Sequence, residues 1–250
     1  MIELISVTKK YGAFEALKGI NLKVSKSGLF AFLGPNGAGK TTTIKILTGV
    51  LMPDSGDALI DGISITKDPV KAKNRFGYLP DIPTLFEKLS GSEYLNFIMD
   101  VFNISRNDRP SRTQKFVEIF EMGPSMNDLI ESYSLGMRKK IGLIAALCHN
   151  PEALFLDEPT SGLDPQSVKN LKDILVNFTK SGGTVFFSTH ILEIAEKICD
   201  RVGIISNGLM VADGTITQIK EKMKSGAGDS KSLEDIFLEL TSSTRASSSF

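Results

Sequence analysis

The chain has 250 residues, of which 41% are hydrophobic and 23% charged, with 29 basic side chains, 29 acidic ones and two cysteines. The balanced charge gives no support for nucleic-acid binding, and so few cysteines exclude a disulfide scaffold. The longest apolar stretches fall short of the ~20 residues that a membrane-spanning helix needs, and the N-terminus lacks the layout of a signal peptide. We therefore expect a globular cytoplasmic protein, which would act at a membrane only through a partner.

The predicted elements begin with strands. Residues 2–24 favour two or three strands interrupted by the turn-forming KKYGA, and the continuous apolar run LFAFLG is typical of a strand buried on both faces. A helix is predicted from Lys40 to about Val50, followed by short strands at ALIDG and FGYLP. The first part of this region is expected to form an antiparallel β subdomain.

Helices and strands alternate in the rest of the chain, after a block of three helices. The predicted elements are helices at 91–103, 110–122 and 134–148, strand 153–157, helix 165–180, strand 184–188, helix 190–199 and the strands RVGIIS and LMVADG. Asn207-Gly208 predicts a hairpin turn between the last two strands. Alternating strands and helices indicate an α/β fold with a mostly parallel core sheet. The helical block at about 90–150 interrupts this order and predicts a helical subdomain.

The end of the chain differs in composition from the rest. One more helix is predicted after residue 214, followed by a linker, SGAGDS, and a short amphipathic helix opened by Ser232 with Asp235 three residues later. The final TSSTRASSSF is expected to be a frayed tail. The domain is therefore predicted at 2–224, with a linker, a short helix and a flexible tail at 225–250.

A glycine-rich loop follows the apolar run LFAFLG. GPNGAGKT (34–41) lies between a predicted strand and a predicted helix, the context in which the G-x-x-x-x-G-K-[ST] motif binds nucleotide phosphates. Its backbone amides would surround phosphate oxygens, Lys40 would reach the β- and γ-phosphates, and the Thr41 hydroxyl would ligate Mg²⁺. The predicted ATP-binding residues are Gly34, Pro35, Asn36, Gly37, Ala38, Gly39, Lys40, Thr41 and Thr42.

Carboxylates end a second apolar run. Asp157 and Glu158 follow ALFL, and Asp164 comes six residues after Glu158. Adjacent like charges at a strand end indicate a nearby cation, and we expect it to be Mg²⁺ carried in with the nucleotide, because neighbouring parallel strands end at the same crevice. Asp157 is predicted to hold the metal ion through water, and Glu158 to take a proton from an attacking water molecule.

These motifs give residues 2 to about 215 a resemblance to the nucleotide-binding subunits of ATP-binding-cassette (ABC) transporters, which are P-loop NTPases. Residues 34–42 resemble the Walker A loop of that family, and LFLDE (154–158) resembles the Walker B strand. The resemblance implies that Tyr11 stacks on adenine, that SGLD with Asp164 is the D-loop, and that His190 is the histidine that contacts the γ-phosphate.

YSLGMRKK (133–140) falls where this family has its LSGGQ signature. Ser134 and Gly136 match, and Leu135 and Met137 depart from the pattern. A serine hydroxyl and a glycine amide at a helix N-terminus can bind phosphate oxygens. The resemblance implies that they engage the nucleotide of a second subunit in a head-to-tail dimer closed over two ATP molecules. LSGSE (89–93) is closer to the signature by letter, but it lies far from the Walker B strand and is predicted to start a helix.

Asp81 stands where many members of the family carry Gln beside Mg²⁺. Its shorter side chain is expected to reach the metal through water, and its position predicts that it relays the nucleotide state to a membrane permease. Residues near 81–95 are the predicted permease contact, in which exposed Leu85, Phe86 and Tyr94 would take part. The alternative for these three side chains is the core of the helical subdomain. The letters around GYLP and YSxGM resemble the subgroup that serves exporters.

The predicted function is ATP hydrolysis that drives a separate permease, on the cytoplasmic face of the membrane, with a second ATP-binding subunit and no nucleic acid. One alternative is a soluble ABC ATPase that acts on ribosomes or DNA, although the chain has a single cassette and no long coiled-coil insertion. The other is a GTPase or small-molecule kinase, but the guanine-reading N-K-x-D motif is absent from the sequence.

Overall fold

The strands of the chain form two separate sheets. The computed structural model describes residues 1–222 and 232–246, so the predicted linker SGAGDS lies outside the described residues. In chain order the strands are β1 (Ile2–Tyr11), β2 (Phe14–Val24), β3 (Leu29–Leu33), β4 (Ser55–Ile60), β5 (Ile63–Ser64), β6 (Phe76–Leu79), β7 (Ala153–Asp157), β8 (Thr184–Thr189), β9 (Arg201–Ser206) and β10 (Leu209–Gly214).

Nine α-helices and two short 3₁₀ helices, Gly123–Ser125 and Ile130–Ser132, accompany these strands in the described part of the chain. The α-helices are α1 (Lys40–Leu47), α2 (Pro69–Lys73), α3 (Gly91–Val101), α4 (Arg109–Ile119), α5 (Leu135–Cys148), α6 (Pro165–Lys180), α7 (Leu192–Ile198), α8 (Ile216–Lys222) and α9 (Leu233–Ala246). No helix among these residues is long and apolar enough to cross a membrane.

The larger sheet is the mostly parallel one that the alternating pattern predicts. Its strand order is β10-β9-β3-β8-β7-β6, and only β10 runs antiparallel to its neighbour. The smaller sheet is antiparallel, with the order β2-β1-β4-β5. An α/β fold with an antiparallel N-terminal sheet is therefore confirmed.

The core lies on both faces of the larger sheet. Every residue of β3, β7 and β8 is buried, as expected for central parallel strands that are covered on both sides. One face packs against α1 and the antiparallel sheet through Phe30, Phe155 and Phe186. The other face packs against α5 and α6. This arrangement leaves the carboxyl ends of the parallel strands free to carry a site.

The helical block comprises α3, α4 and α5. Ser90 caps α3, because its hydroxyl accepts from the Glu93 amide while the Glu93 carboxylate accepts from the Ser90 amide. The Ser-Gly pair of LSGSE therefore starts a helix, as predicted. Whether residues 90–150 behave as a separate subdomain stays a prediction.

Several boundaries differ from the predicted ones. Helix α1 ends at Leu47 rather than near Val50, and the short elements β5 and α2 were not predicted. Helix α9 (Leu233–Ala246) extends into the segment from residue 241 that was predicted to be frayed, and the flexibility of this segment stays a prediction. Short elements escape a periodicity argument because two to five residues contain no full repeat.

Helix α9 is part of the main core. Ser232 opens it with the predicted capping bonds to Asp235. Leu233 and Ile236 are fully buried and belong to the same apolar cluster as Ile204 and Ile219. The helix therefore packs against β9 and α8 as a component of the domain.

The contact between β6 and α5 has no space for an additional atom. A Cβ on Gly77 would lie 1.9 Å from the carbonyl oxygen of Ala146. We expect Gly77→Ala to lower the free energy of unfolding by about 1–3 kcal/mol, the usual cost of overpacking. Urea unfolding followed by circular dichroism measures the change. Gly123→Ala is the control, because a Cβ at Gly123 meets nothing within 4 Å. An equal midpoint for the two variants would contradict the packing argument.

Candidate active site

The phosphate loop joins β3 to α1 and leaves the start of the helix without a cap. No side chain accepts from the first amides of α1. Gly39 has φ +114°, and a Cβ at this position would lie 2.9 Å from the carbonyl oxygen of Ala16. Gly37 also has a positive φ, of 79°. Both glycines are needed for this backbone, which leaves the amides and the positive end of the helix dipole available to an anion.

Lys40 is folded back onto the loop. Its Nζ donates to the carbonyl oxygens of Gly34 at 2.6 Å and Pro35 at 3.2 Å. Burial lowers the pKa of the Lys40 ammonium, and the negative charges of Glu158 and Asp157 offset part of this shift. The lysine therefore lies close enough to both carboxylates to interact with them electrostatically.

The two carboxylates lie at the carboxyl end of β7. Asp157 is buried and accepts a hydrogen bond from the hydroxyl of Ser188, its register partner on β8. The same hydroxyl accepts from the Glu158 amide at 3.1 Å. One serine therefore orients both acidic residues, and β8 lies between the strand of the phosphate loop and the strand of the carboxylates.

Glu158 and His190 contact each other. Glu158 Oε2 lies 3.0 Å from His190 Nδ1, and the side chains are 14% and 61% exposed. Glu158 has φ +44°, in the left-handed region, which turns its backbone out of the strand direction. The glutamate is therefore held in the site, whereas the histidine lies at its open edge.

Asp164 caps α6 and is also an ion-pair partner. Its carboxylate accepts from the amide and the hydroxyl of Ser167, and it lies 3.0 Å from Lys140 Nζ. These hydrogen bonds with Ser167, and then the lysine, lower the pKa of the Asp164 carboxyl well below its usual range. Asp164 therefore connects the loop after β7 to helix α5.

Thr41, Asp81 and Asp157 line one cavity of about 760 Å³. No three His, Cys, Asp or Glu side chains are grouped as a metal site within residues 1–222 and 232–246. One hydroxyl and one or two carboxylates form the partial oxygen set with which proteins bind Mg²⁺ when phosphate oxygens and water complete the shell. The residues present fit Mg²⁺ that arrives with a nucleotide.

Two exposed aromatic side chains lie on the hairpin of β1 and β2, which neighbours the phosphate loop. Tyr11 ends β1, is 49% exposed and is the register partner of Phe14, which is 61% exposed. Ala16 and Leu17, further along β2, are neighbours of Gly39. The hairpin therefore presents a second aromatic, Phe14, that the sequence analysis did not consider.

Ser134 and Gly136 lie at the start of α5. The Ser134 hydroxyl caps the helix by accepting from the Met137 amide at 3.3 Å, and Leu135 is 51% exposed. A Cβ on Gly136 would lie 3.0 Å from the carbonyl oxygen of Gly162. The signature segment therefore packs against the predicted D-loop of the same chain.

Asp81 pairs with a residue that the sequence analysis missed. Its Oδ1 lies 3.2 Å from Nζ of Lys139, and Lys139 also donates to the main-chain oxygen of Glu158 at 2.6 Å. Ser188, Lys139 and Lys140 were all overlooked. Ser188 could have been identified from the sequence, because its strand leads directly to His190. The positions of Lys139 and Lys140 in the helix that begins at YSLGM did not indicate which residues they contact.

The predicted permease surface is only partly exposed. Tyr94 is 8% exposed and belongs to the core of the helical block, so the expectation that it is exposed is wrong. Leu85 is half-buried against that core. Phe86 is 56% exposed and packs edge to face on Phe97, which is 41% exposed, with ring centroids 5.1 Å apart; Ile82 is 74% exposed. We call the adjacent exposed rings of Phe86 and Phe97 the apolar patch.

Residues 17–161 match the family model of the ABC transporter. The chain is 36% identical over 223 residues to the linearmycin resistance ATP-binding protein LnrL of Bacillus subtilis (strain 168), covering 89% of this chain and 72% of LnrL. It is 32% identical over 240 residues to the probable multidrug ABC transporter ATP-binding protein YbhF of Escherichia coli (strain K12), covering 96% of this chain but only 41% of YbhF.

A solved structure described as an ATP-binding subunit of an ABC transporter superposes with a TM-score of 0.90. The superposition covers 96% of this chain and 99% of that one, at 29% sequence identity. The predicted cassette fold is therefore confirmed over nearly the whole chain.

Proposed function

This chain belongs to the ABC transporter family, and from that premise we propose that it binds and hydrolyses ATP as one of two ATP-binding subunits that drive a separate membrane permease. One observation carries the proposal. The uncapped start of α1, with Lys40, lies near the carboxylates of Asp157 and Glu158. This combination of donors and acceptors suits phosphoryl transfer to water, in which positioning and charge stabilisation provide most of the catalysis.

Binding uses groups that are free or easily released in the structure. The amides of the phosphate loop and the Lys40 ammonium hold the phosphates, and Lys40 exchanges the carbonyls of Gly34 and Pro35 for phosphate oxygens. Tyr11, with Phe14 beside it, offers a face to adenine. Thr41 and Asp157, with Asp81 further out, would hold Mg²⁺, which would supply positive charge that stabilises the charge developing on the phosphates.

Hydrolysis uses the pair of Glu158 and His190. Glu158 takes a proton from the water that attacks the γ-phosphorus, while the bond from that phosphorus to the bridging oxygen breaks and ADP leaves with the electron pair. His190 is exposed enough to reach the γ-phosphate when the nucleotide is bound. ADP and inorganic phosphate are the products.

Dimerisation completes the site. Ser134 and Gly136 of one subunit are proposed to contact the γ-phosphate held by residues 34–42 of the other, in a head-to-tail arrangement. The exposure of Ser134 and Leu135 in the single chain supports this, because both would be covered in such a dimer. ATP binding then closes the pair, and loss of the γ-phosphate reopens it.

The permease contact is proposed at the apolar patch, near residues 81–95, on the cytoplasmic face of the membrane. Adjacent exposed aromatic rings are uncommon on a surface that contacts only water. The names of LnrL and YbhF, a linearmycin resistance ATP-binding protein and a probable multidrug ABC transporter ATP-binding protein, favour an exporter.

The test is ATP-driven transport in inverted membrane vesicles that contain the permease. Phe86→Asp places a charge in the apolar patch, so we expect it to abolish both co-purification with one membrane-spanning protein and ATP-dependent transport. ATP binding by the purified chain is expected to remain. Leu238→Asp on α9, an exposed apolar site away from the patch, is the control. Normal transport by Phe86→Asp would place the permease contact elsewhere, and absence of ATP hydrolysis by the wild-type complex would refute the proposed function.

A further inference from the structure

Lys139 is a buried cation that has no role in the proposed mechanism. Its side chain is 1% exposed, in the second turn of α5. Lysine is almost never fully buried unless its charge is compensated, because removing the ammonium from water is costly. The partners of Lys139 therefore indicate why the charge lies there.

Its partners lie on two different loops. Nζ donates to the main-chain oxygen of Glu158 at 2.6 Å and to Oδ1 of Asp81 at 3.2 Å. Glu158 directly follows β7, and Asp81 lies two residues beyond the end of β6. The Asp81 side chain is 49% exposed, so the ion pair is buried at the lysine end and open to solvent at the carboxylate end. One ammonium group thus joins the loop with the predicted base to the loop that leads to the apolar patch.

The bond to Glu158 acts on an unusual backbone conformation. Glu158 is not glycine but has φ +44°, a region that such residues occupy only when their surroundings hold them there. The Ser188 hydroxyl fixes the amide on one side of the residue. Lys139 and the Ser161 amide, at 3.2 Å, fix the carbonyl on the other side. Lys139 therefore contributes the charged bond among the three that hold the Glu158 backbone, from which the side chain extends to His190.

We infer that Lys139 is a positioning residue that sets the direction of the Glu158 carboxylate and makes this direction depend on Asp81. The inference rests on the proposed ATP hydrolysis. Movement of the permease would displace residues 81–82 and with them Asp81, the counter-ion of Lys139. This displacement would alter the hydrogen bond from Lys139 to the Glu158 carbonyl. The rate of hydrolysis thereby becomes sensitive to the permease, without any contact between Asp81 and Glu158 themselves.

The first experiment separates positioning from nucleotide binding. Lys139→Met retains much of the buried volume but removes the charge and the donors, and Lys139→Gln retains a donor. We expect Lys139→Met to lower kcat for ATP by about 10- to 100-fold, as displacement of a catalytic group does, while KM changes by less than about two-fold. Lys139→Gln is expected to recover part of kcat. Lys169→Met, at an exposed position on α6, is the control and is expected to behave as wild type.

Three outcomes would overturn the inference. They are an unchanged kcat in Lys139→Met, an equal change in kcat and KM, and a fall in kcat that Lys139→Gln does not relieve while both variants lose thermal stability equally. Glu158→Gln is measured alongside. If it is inactive while Lys139→Met is normal, the inference alone fails, and the inference also fails if Glu158→Gln hydrolyses ATP at the wild-type rate. If the wild-type protein itself hydrolyses no ATP, the proposed function fails.

The second experiment tests the link to Asp81, and it also applies if Lys139→Met does not fold. Asp81 lies at the open end of the ion pair, so Asp81→Asn and Asp81→Ala are expected to fold normally. Each is expected to lower kcat by less than Lys139→Met does, with Asp81→Asn closer to wild type because it keeps an acceptor. Adding Asp81→Ala to Lys139→Gln is expected to have less effect than in the wild-type background, because both changes act on one bond. Additive effects, or a wild-type kcat in Asp81→Ala, would exclude a link through Lys139.

Discussion

Glu158→Gln is expected to leave ATP binding intact and to lower the rate of ATP hydrolysis by about 100-fold or more. The substitution keeps the shape of the side chain and its ability to contact His190, which lies 3.0 Å away. It removes the ability to accept the proton of the attacking water, because glutamine cannot act as a base. Binding and closure precede that step, so the variant is expected to accumulate with ATP bound.

Because ATP stays bound to Glu158→Gln, the ATP-bound dimer is expected to accumulate and can be detected. In gel filtration with ATP, Glu158→Gln is expected to elute as a dimer and the wild type as a mixture that returns to monomer as ATP is consumed. Glu152→Gln is a matched control, because Glu152 precedes β7, at the opposite end of the strand from Glu158, and its side chain forms an exposed ion pair with Arg75. Hydrolysis at the wild-type rate would show that Glu158 is not the base, and a monomer with bound ATP would refute the shared site.

Lys40→Ala is expected to weaken ATP binding by about 100-fold or more, which corresponds to roughly 3 kcal/mol of binding free energy. The ammonium is the mobile positive charge of the phosphate loop, and burial in the loop strengthens its bonds to phosphate oxygens. Isothermal titration with ATP and Mg²⁺ measures the loss. Equal affinities for variant and wild type would remove the phosphate-loop assignment.

A structural explanation of such a loss has to be excluded, because Lys40 also holds the carbonyls of Gly34 and Pro35. Lys40→Met, which restores the buried volume but not the charge, is expected to bind ATP as weakly as Lys40→Ala. Lys71→Ala on α2, an exposed position, is expected to bind normally. If Lys40→Met recovered affinity, the lysine would act mainly by supporting the loop.

The parts of the site that could be predicted from the sequence are those governed by local rules. A glycine-rich loop between an apolar strand and a helix allows few conformations, and carboxylates that end parallel strands must meet at one edge. The register of Asp157 with Ser188 follows from the same rule. The roles assigned to Tyr11, Ser134, Gly136 and His190 come from the family resemblance and stay predictions.

The contacts that could not be predicted depend on packing between distant segments. Whether Tyr94 faces solvent or the core depends on how α3 and α5 pack, and the amphipathic pattern of α3 fits either arrangement. Lys139 looks like one of several surface lysines in the sequence, because its burial requires the loops after β6 and β7 to close over it. The left-handed backbone of Glu158 could not be predicted from the sequence either, since glutamate has no preference for that conformation.

The packing of α9 limits how the chain can be shortened for experiments. The family match ends at residue 161, and an investigator trimming the chain to its recognisable motifs would be inclined to cut after β10 or α8. Such a cut removes Leu233 and Ile236, each worth about 1.5–3 kcal/mol when fully buried, from an apolar cluster that includes Ile204 and Ile219. Because folded domains retain only about 5–15 kcal/mol in total, the trimmed protein would be prone to aggregate through the uncovered surface. Loss of activity in a truncated protein would then report on solubility rather than on catalysis.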